Sequence, residues 1–275
     1  MLNIRDLALG GAAALLVASA AGAKPAADPE DAAPCNEAMT LTLLGPTINA
    51  ADKFLACANV PGQTPFKIAQ SRYKRLELLE AMRKRELAEA ELVALTTPPL
   101  STYPVFTNVM SGAITIGGEQ SIGSTQVDLL AARAGYRLVA GDGAGALGFA
   151  NRAIALAGYD PALLLDAAPA FALRARIAYS EKKVDVAVKM AVRAFVRGSA
   201  DDFVKEIIAS QDAGTQDQLN KLRTYLKDEV SGYPFAISAR GRVSAKPEDI
   251  ARIVKDAKTA AANLEQFERT QLGPL

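Results

Sequence analysis

Val127-Asp128-Leu129-Leu130-Ala131-Ala132-Arg133-Ala134-Gly135-Tyr136-Arg137-Leu138, a turn at Gly141-Asp142-Gly143, and Ala146-Leu147 through Asn151-Arg152-Ala153-Ile154-Ala155-Leu156 read as helix, turn, helix. The apolar residues of the first stretch recur at spacings of three and four, the period of one helix face. A second stretch can be laid on the first at a 41-residue offset, which places Ala134, Ala146, Ala150 and Ala153 over Ala175, Ala187, Ala191 and Ala194. An alanine contact brings two helix backbones nearer than a leucine contact does. The pattern therefore predicts two closely packed helical hairpins between Val127 and Arg197.

These positions resemble a tetratricopeptide repeat, which carries a small residue on its first helix and alanines on its second. Tyr179 and Lys182-Lys183 lead into the second helix of the second unit, and a weaker third echo runs from Ala69 to Leu78 with Cys57 at the small first-helix position. The chain departs from the family in three ways. It lacks the large aromatic at the start of the first helix, its offset exceeds the family's usual length of about 34 residues, and Pro169 falls inside or just before a helix. The resemblance implies an all-α fold of stacked hairpins in which the first helices line a concave groove. By its register the groove-facing positions are Asp128, Leu138, Val139, Arg176 and Tyr179, a surface suited to an extended peptide or a partner's helix. The plainer alternative is that Leu138 and Val139 pack on the next helix and Arg176 is a surface charge.

Gly141-Asp142-Gly143-Ala144-Gly145-Ala146 also fits G-x-G-x-x-A, a dinucleotide fingerprint in which Asp166 would hold the ribose. That motif needs a strand before it. Residues 127–138 have helical spacing instead, and runs rich in Val and Ile are scarce.

Outward from this centre, Pro65 to Thr96 predicts one long amphipathic helix without internal Pro or Gly, with Glu80–Lys84 and Arg85–Glu89 as i,i+4 pairs. Its basic cluster Arg83-Lys84-Arg85 is surrounded by acidic residues and reads as a solvated face. Pro98-Pro99 ends that helix, and residues 98–124 read as a long loop, with a short β-hairpin in 103–117 as one reading. Residues 125–200 form the repeats and 201–275 a helical cap. In the cap, Asp201-Asp202 cap one helix, and Pro247 starts another whose stripe runs through Ile250, Ile253, Ala257, Ala261, Leu264 and Phe267.

Residues 1–23 have the three parts of a secretory signal peptide, with Ala21-Gly22-Ala23 as the cleavage site and Ala20 as second choice. Their apolar run falls short of the roughly 20 residues that span a bilayer, so no stable membrane insertion is expected after cleavage. Residues 24–34, with three prolines, read as a flexible leader, and 35–97 as an N-terminal helical segment. An exported chain meets an oxidising compartment, where its two cysteines, Cys35 and Cys57, would most simply pair. Two buried free thiols, or a redox pair, are the alternatives.

The chain has 275 residues, half of them apolar, enough for a substantial core. Its 31 basic and 30 acidic side chains leave a charge of +1, with no field to gather nucleic acid. It contains no histidine, which removes histidine dyads and histidine metal sites, and two cysteines cannot build a four-thiolate zinc site. No cofactor or metal is expected. Ser111-Gly112 and Gly123-Ser124 do not form a nucleophile elbow, and no S-x-x-K box opens a helix. The expectation is a non-catalytic periplasmic scaffold or adaptor that binds an envelope protein or peptide. The alternative is a secreted hydrolase or modifying enzyme with its site under the 98–124 loop.

Overall fold

The computed structural model describes residues 32–102, 119–238 and 246–274, and every regular element among them is helical. The fold is all-α. The hairpin read in 103–117, the signal peptide and nearly all of the leader lie outside the described residues.

Four helices form the N-terminal part: α1 (Ala33–Thr42), α2 (Ile48–Ala58), α3 (Pro65–Ala81) and α4 (Arg85–Leu95). The centre contains α5 (Glu119–Val139), α6 (Gly143–Ala157), α7 (Ala168–Ser180) and α8 (Val184–Val196). The C-terminal part contains α9 (Asp202–Ala209), α10 (Ala213–Val230), α11 (Tyr233–Ser238) and α12 (Pro247–Phe267), followed by a π turn over Glu268–Leu272. Each of Thr47, Thr64, Asp142, Asp201 and Asp212 caps the helix after it by accepting a backbone N–H. Leu76, Leu79, Leu92 and Leu95 build the N-terminal core, into which α5 sends Leu129. Phe171, Leu164, Phe195 and the alanines of α5–α8 build the central core, closed by Leu219 and Leu226 of α10 and Leu264 of α12.

The eight alanines that define the repeat have no exposed surface at all, and α5 packs on α6 as α7 packs on α8. The turns of these hairpins share one geometry. Gly141 (φ 82°) and Lys182 (φ 61°) are left-handed, and the next residue's N–H closes a bond of 2.9 Å back to Arg137 O or Ala178 O. Five residues beyond each left-handed residue stands a fully buried alanine, Ala146 or Ala187.

The same turn occurs a third time, where one long helix was expected. Arg83 is left-handed at φ 58°, Lys84 N–H donates to Leu79 O at 2.8 Å, and Ala88 is fully buried five residues on. The segment therefore breaks into the hairpin α3–α4. Burying both Ala88 and Leu92 on one side and Leu76 and Leu79 on the other outweighs the roughly 1–2 kcal/mol that a non-glycine residue costs in this region. The structural third unit is α3–α4, one helix later than the echo at Cys57 and Ala69. Neither expected i,i+4 pair forms, Glu80–Lys84 across this break or Arg85–Glu89 within α4: Glu89 pairs with Arg137 at 2.8 Å, and Glu80 accepts from Tyr136 Oη at 3.4 Å. Arg83, Lys84 and Arg85 are exposed.

Helix α5 begins at Glu119, so the end of the segment read as loop is helical. Gly123 misleads in sequence because its role is packing: a Cβ there would meet Leu163 Cδ1 at 3.0 Å. The dinucleotide reading fails, since residues 127–138 are helix and the glycines have local roles. Asp142 Oδ1 accepts from Gly145 N–H at 2.8 Å, and a Cβ on Gly145 would lie 2.2 Å from the capping carboxylate.

Cys35 and Cys57 form a disulfide that ties α1 to α2 across 22 positions of sequence. Replacing both cysteines with alanine lowers stability by about 3 kcal/mol on the chain-entropy model, measured by urea unfolding. The left-handed turns give a second test of opposite sign: Lys182→Gly stabilises and Gly141→Ala destabilises, each by about 1 kcal/mol.

Candidate functional site: a groove along the first helices

The first helices of the three hairpins, α3, α5 and α7, share one face. Between them lies a hollow of about 540 Å3. Its floor is Tyr136, Leu138 and Leu173, and Glu80, Arg85 and Arg176 stand at its rim. Farther along α5 and α7 a second cavity of about 640 Å3 is lined by Asp128 of α5, Asp166 of the α6–α7 connection and Pro169 of α7. Leu173 borders both, so the two cavities adjoin there. A third cavity of about 480 Å3 adjoins the second at Leu165, Arg197 and Gly198 and is lined farther on by Arg223 and Lys227 of α10.

The five residues placed here by register divide into three groups. Leu138, Val139 and Arg176 meet in the apolar hollow. Asp128 lies in the second cavity. Tyr179 borders none of these three cavities and packs edge-on against Phe203 of α9, with ring centroids 5.3 Å apart. The charge of Arg176 is already engaged, since its Nη2 donates to both Asp201 carboxylate oxygens at 2.9 and 3.1 Å. Arg176 thus fastens α7 to the cap of α9 and walls the groove.

Reasoning from register overlooked Tyr136 and Leu173, although both sit on the helix faces it used. It also missed Asp166 as a groove residue, because the α6–α7 connection lies outside the repeat. The electrostatics centre on this pair of aspartates. Asp128 is partly solvent-accessible, yet the protein around it and the nearby Asp166 carboxylate push its carboxyl up to about 7. Burial also raises Asp166, opposed in part by a hydrogen bond with Ser124. No cation among the described residues contributes to either. In the apolar hollow, Tyr136 is pushed up to about 12, first by burial and then by Glu80. Among the described residues no cluster of three or more His, Cys, Asp or Glu is arranged to hold a metal ion, and no helix is long and apolar enough to cross a membrane.

No family model, curated protein or solved structure matches the chain.

A carboxyl group raised on folding binds its proton more tightly in the native state, so its contribution to stability is full below the unfolded value, near 4, and is lost as pH rises toward about 7. Asp128→Asn removes this dependence. Thermal melts should show the variant close to the parent at low pH and more stable by about 1 kcal/mol at alkaline pH, allowing for the solvent that reaches the side chain.

Proposed function

We propose that the chain is an exported, non-catalytic scaffold or adaptor that binds another protein or peptide of the cell envelope along this groove. The observation that carries the reading is the row of three adjoining cavities, with shared wall residues, along α3, α5, α7 and α10. A long open trough on rigid helices suits an extended chain better than a compact small molecule. A degenerate tetratricopeptide-like ancestry is supported by the buried alanines, the repeated turn and the 41-residue offset. The third hairpin fits that ancestry less closely, because Leu76, Leu92 and Leu95 stand where the other two have alanines. Export to the periplasm is supported by the signal-like residues 1–23 and by the Cys35–Cys57 disulfide, a bond that persists in oxidising compartments.

Site-specific photo-crosslinking in intact cells tests the groove. A photoreactive amino acid at Val139, which is exposed beside the apolar hollow, is expected to capture a discrete envelope protein. The same group at Leu156, exposed on the second helix of the hairpin, is not. Leu138→Glu should abolish the Val139 adduct. The same products from both positions would place the partner elsewhere.

A further inference from the structure

The groove is not uniform along its length. At one end the hollow floored by Tyr136, Leu138 and Leu173 is apolar. In the middle, Asp128 and Asp166 face the second cavity. Asp201, which also borders that cavity, is neutralised by Arg176. Arg197 lines it too, but is itself buried and pairs with Glu268. Two carboxylates that line one cavity repel each other, so the middle of the groove holds negative charge to which no cation among the described residues is paired.

We propose that the groove receives an extended segment of a partner protein that sets a lysine or arginine side chain between Asp128 and Asp166 and a large apolar side chain in the hollow floored by Leu138 and Leu173. This rests on the groove reading above and gives the occupant a chemistry. Charge complementarity fixes the first contact, because a cation at this point converts like-charge repulsion into two charge-assisted hydrogen bonds. The helix fixes the spacing. From Asp128 to Tyr136 the axis of α5 rises about 12 Å, which an extended chain covers in about four residues. The occupant therefore carries its basic residue and its large apolar residue about four positions apart.

Selection of a randomised ten-residue peptide library displayed on phage against the mature chain, at about pH 8, above the value of about 7 to which Asp128 is raised, tests the proposal. The expected consensus is a Lys or Arg about four positions from a Leu, Phe or Met. A synthetic peptide of that consensus should bind at least tenfold more weakly to Asp128→Asn or Asp166→Asn, as judged by fluorescence anisotropy. Asp128→Lys should reverse the preference and select Glu or Asp at the same position, a rescue that a merely unfolded variant cannot give. Selected peptides that lack a basic residue, yet lose binding with Leu138→Glu, would overturn this proposal and leave the groove reading standing. Peptides indifferent to Leu138→Glu, or no enrichment at all, would overturn both.

Discussion

Close approach of helix backbones at fully buried alanines is the constraint on which the rest of the structure depends. Ala134, Ala146, Ala150 and Ala153 form one seam and Ala175, Ala187, Ala191 and Ala194 its copy. At such a contact there is no side-chain end to move aside, so the two helices of each hairpin hold one separation and one turn geometry. With α5–α6 and α7–α8 fixed as units, α7 must lie beside both α5 and α6. The shared face of α3, α5 and α7 is what this stacking leaves open, and the groove is its result. Its wall positions are set by backbone placement, which keeps residues as far apart in sequence as Asp128 and Leu173 along a single trough.

Two buried carboxylates hold the flanks of this stack. Glu91 of α4 accepts from Arg72 at 3.0 Å and from Arg75, so α4 cannot slide along α3. At the other end the π turn carries Glu268 into the interior, where Arg197, Arg193 and the Tyr159 hydroxyl at 2.8 Å converge on it. Arg193 also donates to Gly273 O at 2.6 Å, tying down the end of the described chain. Buried ion pairs of this kind add little net stability but become expensive when one partner is removed. They specify position. Their guanidinium groups are engaged with Glu91 and Glu268.

Much of this fold is legible in the sequence because alanine spacing has a single reading. A buried small residue at fixed offsets on two helices demands close packing, and the helices at 127–156 and 168–196 follow from it. The C-terminal helix from Pro247 is equally plain, since proline start, acidic first turn and apolar stripe agree. The Arg83 turn is not legible, because a left-handed arginine has no composition signal and only the burial of Ala88, Leu92 and Leu95 pulls the chain back. Gly123 and Gly145 mislead for the opposite reason: each looks like a loop or a nucleotide motif, and each is glycine because a neighbour occupies the space of a Cβ. Of the candidate site, register reached Leu138, Val139 and Arg176. It could not reach Asp166, which arrives from a connection between repeats, nor foresee that Asp201 would consume the charge of Arg176.

On the proposed reading, Asp128 and Asp166 tie the stability of the fold to the occupancy of the groove. Burial and the Asp166 carboxylate oppose ionisation of Asp128, and burial opposes that of Asp166, so placing both in one cavity works against their charged forms. Leu165, Pro169 and Leu173 around the same cavity are apolar, and Ser124 of α5 hydrogen-bonds only the Asp166 member of the pair. A cationic group seated between the carboxylates draws them back toward the ionised state and returns the stability they withhold, so binding and folding are linked through the same two side chains. Proteins tolerate such a local cost where function needs a group that the fold alone would not choose. On the proposed reading that place is the middle of the groove, on helices whose positions are set by the alanine seams and the buried glutamates.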